Sequence, residues 1–364
     1  MAIGAADECY PLDGVRVLDL SIFTPGPFAT QILADLGATV LKVEAPPHGD
    51  RERDVMPAYF QAYNRGKASV ALDLKNPDDL RLCHDLARDA RIVVEGFRPG
   101  VCDRLGVGFD RLAQINPDLI YVSLTGFGSD GPYRMARAHD PEIQAITGSL
   151  HYARDANGKA IYNFAYPTFD YAASMYAVIG CLSWLGRKGH GPRRVEVPLA
   201  AAGVAWMYPQ YVNAVEFDAR AFADNNDWRG SYRTRDGRYL TLTPAEGLRE
   251  LLAELGIEGV SGRGRDTMEK IAAAIAQRDC ADVFPLLQKA GVPVGVVQTV
   301  DEALEDEGLA SLGMIQRAPH LVCASPIMGM PTKLLTRVPD IGGQDDLVRK
   351  GGWAALETDR EWNQ

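Results

Sequence analysis

Short apolar runs alternate with amphipathic segments over the first third of the chain. The run VRVLDL (15–20) predicts a buried strand, the segment FATQILADLGA after it predicts a helix that ends at Gly37, and TVLKVE (39–44) predicts a second strand. Further strands are predicted at ASVALDL (68–74), RIVVEGF (91–97) and LIYVSLTGF (119–127). Strands that alternate with helices are typical of an α/β fold with a parallel, doubly wound sheet.

The pattern changes in the second half of the chain. Residues 225–316 combine a predicted hairpin, with Asp236-Gly237 at its turn, with three predicted helices and the strand VPVGVVQ (292–298). This mixture indicates a smaller α+β domain. From about residue 319 the chain is rich in Gly and Pro and shows little periodicity.

Composition and charge narrow the class of protein. The 364 residues carry 38 Lys and Arg against 48 Asp and Glu, a net charge of −10, which argues against nucleic acid as a partner. We find no run of roughly 18–20 apolar residues that would span a membrane and no secretory signal pattern. Six widely spaced cysteines form neither a disulfide framework nor a metal motif. We therefore expect a cytoplasmic protein with no metal site and no membrane partner.

The usual nucleotide motifs of a doubly wound sheet are missing. TPGPFATQ stands where a GxGxxG turn would follow the first strand, and the chain has no P-loop, GxSxG or HExxH motif. Basic residues near the predicted strand ends are either solvated surface charges or ligands for an anionic cofactor such as a nucleotide diphosphate. They are Arg65, Lys67, Lys75, Arg98, Arg104 and Arg137.

Four polar residues are candidates for chemistry. His139 lies in a loop, and Asp140 directly before Pro141 suits the N-cap of the next helix. Asp170, directly before a long apolar helix, is either an N-cap or a carboxylate available as nucleophile or proton carrier. Glu246 is the first-turn acid of a predicted helix or a catalytic group.

Several long segments resemble one family. VRVLDLSIFTPGPFATQILADLGATVLKVEAPPHGD, NRGKASVALDLKNPDD, ARIVVEGFRPGVCDRLGVGFDRLAQINPDLIYVSLTGFGSDGPY, AHDPEIQAITG and VPVGVVQTVDEALED are similar, in this order, to the family III CoA-transferases. That family, also called CaiB/BaiF, includes formyl-CoA transferase and α-methylacyl-CoA racemase. The resemblance covers nearly the whole chain.

The resemblance implies a Rossmann-like domain that binds CoA, and an interlocked homodimer. It places residues 1–200 and 320–364 in this large domain and 225–316 in the inserted small domain, with 201–224 and 317–319 as linkers. Coenzyme A or acyl-CoA is then a substrate, and no tightly bound cofactor is expected. The implied CoA contacts are Phe23, Thr24, Pro25, Leu72, Lys75, Gly96, Phe97, Arg104 and Arg137. Thr24 departs from the oxalate-type transferases, which have a glutamine there.

The resemblance is compatible with three functions, two of them catalytic. In a transferase, the carboxylate matched by Asp170 attacks the acyl-CoA thioester, giving an anhydride and then an aspartyl-CoA thioester that a second carboxylic acid resolves. In a 2-methylacyl-CoA racemase, His139 and Asp170 are the two proton carriers, with Asp140 beside the histidine and Glu246 matching a family glutamate. PTFDYAAS (167–174) lacks the glycines that usually flank the racemase aspartate, so transfer of CoA is preferred. A non-catalytic CoA-ester binding protein is the third alternative.

Overall fold

The computed structural model describes residues 9–155, 157–187, 189, 191–217, 230–243, 247–260, 265–317, 321–359 and 362. The chain divides into two compact units, residues 1–211 with 313–364, and residues 212–312. Within the described residues, no helix is both long and apolar enough to cross a membrane.

Six parallel strands form the sheet of the first unit, in the order β3-β2-β1-β4-β5-β6. They are β1 (Arg16–Asp19), β2 (Thr39–Glu44), β3 (Ala68–Ala71), β4 (Ile92–Glu95), β5 (Ile120–Thr125) and β6 (Arg193–Pro198). The predicted doubly wound α/β sheet is confirmed. The strand order reverses between β1 and β4, and in such sheets this is where ligands bind, beyond the carboxyl ends of the strands.

The described helices number sixteen in chain order. They are α1 (Pro25–Asp35), α2 (Glu52–Val55), α3 (Pro57–Asn64), α4 (Pro77–Asp89), α5 (Val101–Arg104), α6 (Phe109–Ile115), α7 (Asp140–Ile146), α8 (Ser149–Tyr152), α9 (Thr168–Leu185), α10 (Leu199–Glu216), α11 (Leu248–Leu255), α12 (Arg265–Ala276), α13 (Cys280–Lys289), α14 (Val300–Glu305), α15 (Glu307–Ala310) and α16 (Asp345–Thr358).

Both faces of the central strands are buried, which explains their continuous apolar runs. On one face Val17 of β1 and Ile92 of β4 belong to the core that includes residues of α1 and α9. On the other face their neighbours Leu18 and Val93 belong to the core that includes residues of α4 and α16. Because side chains alternate along a strand, each apolar run supplies both cores.

The end of the chain differs from the sequence-based expectation. Residues after 319 show little periodicity, yet the helix α16 forms and buries Val348, Trp353 and Leu356 against the second of these cores. The indole N–H of Trp353 donates a hydrogen bond to the carbonyl oxygen of Leu86 at 2.9 Å. Tertiary packing therefore stabilises a helix that its own sequence favours only weakly.

The second unit contains a three-stranded antiparallel sheet. Its strands are β7 (Gly230–Arg233), β8 (Tyr239–Leu242) and β9 (Val294–Val296), in that order. The predicted hairpin is confirmed, with Gly237 at the turn in a left-handed conformation that favours glycine (φ 85°). In the first unit, β10 (Ile315–Arg317) and β11 (Leu321–Cys323) form a separate antiparallel pair.

Candidate active site

The turn between β1 and α1 is tightly folded without a glycine fingerprint. A Cβ on Gly26 would lie 2.2 Å from the side chain of Ser21, so only glycine fits there. Phe23 has a φ of 60°, which is rare for a residue with a side chain. Its backbone N–H donates to the Asp50 carboxylate at 3.3 Å. The turn thus holds Phe23, Thr24 and Pro25 at the point where the strand order reverses.

Two buried ion pairs stabilise the β1–α1 turn. Lys67 and Asp19 pair at 3.0 Å, and Lys42 and Asp50 pair at 3.0 Å, with all four side chains fully buried. Lys42 also donates to the carbonyl oxygen of Ser21 at 2.8 Å. Burial alone would raise the pKa of Asp19, but Lys67 and Lys42 hold it well below its usual range.

Two of the basic residues near strand ends are therefore engaged inside the protein. Lys67 donates to Asp19, Thr30, Asn64 and the carbonyl oxygen of Pro27, all within 3.0 Å. Arg65 donates to both carboxylate oxygens of Asp35 at 3.0 Å. The interpretation of these two side chains as ligands for an anion is wrong, because their charges are already compensated by buried carboxylates.

Asp170 is the third residue of α9, and another carboxylate holds the start of that helix. Asp140 Oδ1 accepts hydrogen bonds from the backbone N–H groups of Phe169 at 2.6 Å and of Asp170 at 3.2 Å. Its Oδ2 accepts from Gln144 at 2.6 Å and from the Tyr162 hydroxyl at 2.9 Å. Asp140 thus satisfies two of the free N–H groups at the beginning of α9.

Both capping predictions from the sequence are wrong in detail. Asp140 is the first residue of α7 rather than its N-cap, and its carboxylate caps α9 instead. Asp170 lies inside the first turn of α9 and is not the N-cap of that helix. Its carboxyl group is therefore free for another role, and among the described residues no hydrogen bond to its oxygens is found.

The surroundings of Asp170 favour its protonated form. Burial, and then the nearby carboxyl groups of Asp140 and Glu52, raise the pKa of Asp170 well above its ordinary value. The start of an 18-residue helix favours negative charge at this position, which opposes these effects. A buried carboxyl group with a strongly shifted pKa at the edge of a ligand crevice is typical of a functional site.

His139 lies beside the same turn. It is exposed and precedes α7, and its backbone N–H donates to Glu142 at 2.9 Å. Its ring meets the ring of Phe23 edge to face, with 5.8 Å between centroids. The structure therefore brings His139 to the β1–α1 turn.

The implied CoA contacts occupy two parts of this sheet edge. Phe23, Thr24 and Pro25 follow β1, and Gly96 and Phe97 follow β4, so these five residues lie on either side of the strand-order reversal. The Thr24 hydroxyl is buried and already donates to Glu52 at 3.1 Å. That hydroxyl is therefore engaged inside the protein.

The other implied contacts are more peripheral. Leu72 and Lys75 follow β3, Arg104 ends α5, and Arg137 precedes α7. Lys75, Arg104 and Arg137 are exposed, as phosphate ligands need to be. Leu72 is only 1% exposed as a residue, so it presents almost no surface for a contact with CoA. Glu246 lies outside the described residues.

Sequence reasoning missed Glu52. Its side chain is fully buried, Oε1 accepts from Thr24, and Oε2 has no hydrogen-bond partner among the residues that the structure describes. Burial and Asp50 raise the pKa of Glu52 to about 7. The segment HGDRERD (48–54) reads as exposed charge, and nothing in its pattern distinguishes this one glutamate.

Among the described residues, no group of three or more His, Cys, Asp or Glu side chains is arranged to hold a metal ion. The carboxyl groups of Asp170, Asp140 and Glu52 lie close enough to act on one another's proton affinity.

Comparison with known proteins identifies the family of the chain. The chain is 29% identical over 355 residues to an acyl-CoA transferase of Fusarium pseudograminearum, a match that covers 87% of this chain and 77% of the relative. It is 46% identical over 146 residues to the acetyl-CoA:oxalate CoA-transferase of Acetobacter aceti, 38% of each chain. A CAIB/BAIF family protein from Brucella suis has a similar crystal structure, with a TM-score of 0.82, 27% identity, and coverage of 96% of this chain and all of that one. The profile of CoA-transferase family III matches residues 12–342, and the chain therefore belongs to this family.

Proposed function

We propose that the protein transfers CoA from an acyl-CoA to a second carboxylic acid through covalent intermediates on Asp170. The observation that carries this proposal is the Asp170 carboxyl group, which is buried beside the β1–α1 turn and free of hydrogen bonds from the described residues. The names of the relatives, an acyl-CoA transferase and an acetyl-CoA:oxalate CoA-transferase, support transfer as the reaction.

Four substitutions at carbonyl carbon complete the reaction. Ionised Asp170 attacks the thioester carbonyl and expels CoA thiolate, which leaves an acyl-aspartyl anhydride. The thiolate attacks the aspartyl carbonyl and releases the first carboxylate, forming aspartyl-CoA thioester. The second carboxylate attacks this thioester and expels CoA thiolate again. The thiolate then attacks the acyl carbonyl of the new anhydride, so that the new acyl-CoA leaves and Asp170 regains its electron pair.

Several features suit Asp170 to this role. Because the pKa of Asp170 is raised, its carboxylate is a stronger base and a stronger nucleophile once the proton has left. Asp140 fixes the first turn of α9, which limits the movement of the nucleophile. Coenzyme A would approach through Phe23, Thr24, Pro25, Gly96 and Phe97 at the strand-order reversal, with its phosphates near the exposed Lys75, Arg104 and Arg137.

Epimerisation of a 2-methylacyl-CoA is the second candidate. The exposed ring of His139 contacts Phe23, which places an imidazole at the same turn that we assign to CoA. His139 would remove or return the α-proton on one face of the substrate, and Asp170 would act on the other.

We also propose the interlocked homodimer. Apolar side chains on the outer faces of α9 and α10 support a partner surface there, because an isolated chain seldom leaves so many exposed. They include Tyr176, Ile179, Leu182, Val204 and Trp206, which are 38–56% exposed.

One set of samples distinguishes CoA transfer, epimerisation and binding without reaction. Purified protein with a 2-methylacyl-CoA in deuterated water, followed by NMR, should give a new acyl-CoA only when a second carboxylic acid is added. Hydroxylamine trapping during turnover should modify Asp170, as seen by mass spectrometry. If the peptide that contains Asp170 stays unmodified during turnover, the covalent mechanism is refuted. Loss of the α-proton signal without acid would instead establish epimerisation, and binding without either reaction would indicate a CoA-ester binding protein.

A further inference from the structure

Glu52 is a second buried acid beside the site, and no cation among the described residues forms an ion pair with it. Glu52 is 0% exposed and its Oε1 accepts a hydrogen bond from the Thr24 hydroxyl at 3.1 Å, whereas its buried Oε2 has no hydrogen-bond partner in the described part of the chain. An ionised carboxylate in such a place would be costly unless a cation compensated it. The surroundings of Glu52 therefore favour its neutral, protonated form over its ionised form.

The neighbouring cations already form ion pairs with other carboxylates. Lys67 pairs with Asp19 at 3.0 Å and Lys42 pairs with Asp50 at 3.0 Å. Arg53, the next residue after Glu52, forms two hydrogen bonds with Glu44 at 2.9 and 2.7 Å. Each of these cations is paired with a carboxylate other than Glu52.

Glu52 and the helix that carries Asp170 are both hydrogen-bonded to the β1–α1 turn. Thr24 of that turn donates to Glu52, while the carbonyl oxygen of the next residue, Pro25, accepts from Ser174, one helical turn after Asp170. Burial and Asp140 raise the pKa of Asp170 most, and a negative charge on the buried Glu52 raises it further. The charged and titratable groups around Glu52 are Asp50, Lys42 and Lys67 from the ion pairs, Tyr59 and Tyr63 from α3, and Asp170 from α9.

We propose that Glu52 is a positioning residue for the proton of Asp170: while Glu52 is neutral Asp170 can ionise, and when Glu52 ionises Asp170 holds its proton. The inference deepens the proposed function, since it concerns the residue assigned there as nucleophile. The two acids then lose their protons in coupled steps, so that ionisation of one makes ionisation of the other harder. Substrate that excludes water from the turn would favour the state with a single negative charge.

The test follows the Asp170 carboxyl group directly, in the full chain labelled with ¹³C at the aspartate Cγ. The Asp170 signal is assigned by its absence in Asp170→Asn and is followed from pH 4 to 10. Glu52→Gln, which retains the hydrogen bond to Thr24 but cannot ionise, should lower the titration midpoint of Asp170 by about half a pH unit or more. Asp54→Asn removes an exposed charge from the same helix and should leave the midpoint unchanged.

An unchanged midpoint in Glu52→Gln would overturn the inference. If that variant does not fold, Glu52→Met serves in its place, because it gives up only the hydrogen bond from Thr24 and puts an apolar group where Oε2 has no partner among the described residues. The measurement does not depend on turnover. A shifted midpoint together with failure of hydroxylamine trapping would therefore reject the nucleophile assignment and keep the electrostatic link.

Discussion

Asp140 holds the first turn of the helix that carries Asp170, although thirty residues separate them along the chain. Asp140 Oδ1 accepts from the backbone N–H groups of Phe169 and Asp170, at 2.6 and 3.2 Å. Asp140 is itself fixed by Gln144 and Tyr162, so the start of α9 is tied to α7 and to the loop before α9. The position of the Asp170 carboxyl group therefore depends on Asp140.

Replacement of Asp140 should damage both stability and activity. Asp140→Ala removes the carboxylate that accepts from the first turn of α9 and leaves two backbone N–H groups without this partner, so the free energy of unfolding should fall by about 2 kcal/mol. Because Asp170 loses its anchor, kcat should fall roughly 100-fold. Urea denaturation and steady-state kinetics measure the two effects. Tyr162→Phe keeps both bonds to α9 and should cost about 1 kcal/mol with little change in kcat; equal losses in both variants would contradict the capping role.

Asp170→Asn should remove activity and yet stabilise the protein at alkaline pH. The pKa of Asp170 is raised in the folded state, so its contribution to stability is complete below the unfolded pKa and is lost as pH rises through the folded pKa. The amide has no proton to lose and escapes this loss. The Tm of the variant relative to the native protein should therefore increase between pH 5 and pH 9. A Tm difference that stays constant over this range would show that Asp170 titrates normally.

The fold was largely predictable because each central strand is buried on both faces. Val17 and Leu18 are adjacent in sequence and serve opposite cores, so a short uninterrupted apolar run is the expected signal. The helix α16 gave no such signal, since Gly351 and Gly352 interrupt it and Gly352 departs from helical geometry at φ 55°. Burial of Trp353 against the sheet supports this helix, and such packing is invisible in a local pattern.

The site was predictable only in part. The position of Asp170 before an apolar helix and the unusual TPGPF turn mark the right region. The bond from α9 to Asp140 and the burial of Glu52 depend on contacts between distant segments, which a single sequence does not display. Lys67 illustrates the opposite error, because a lysine near a strand end looks like a ligand for an anion until its four buried partners are known.

Lys67 should therefore be important for stability rather than for CoA binding. Lys67→Met leaves Asp19 buried without its cation, and removal of one partner of a buried pair costs about 3–5 kcal/mol. The double variant Asp19→Asn with Lys67→Met removes the isolated charge and should recover roughly half of that loss. Lys350→Met on the exposed side of α16 should leave the free energy of unfolding unchanged. Equal stability of Lys67→Met and the native protein would refute the role of this ion pair.

Arg104 should show the reverse behaviour. Its side chain is exposed at the end of α5, so Arg104→Ala should not change the Tm. If Arg104 contacts a CoA phosphate, loss of that charge-assisted hydrogen bond should raise the Kd for CoA roughly tenfold, with a weaker dependence of Kd on salt concentration. Isothermal titration calorimetry at two salt concentrations measures both effects. Arg111→Ala, which replaces another exposed arginine on α6, is the matched control. Should the two variants bind CoA equally well, the phosphate contact assigned to Arg104 must be given up, and Lys75 and Arg137 become the cations to test.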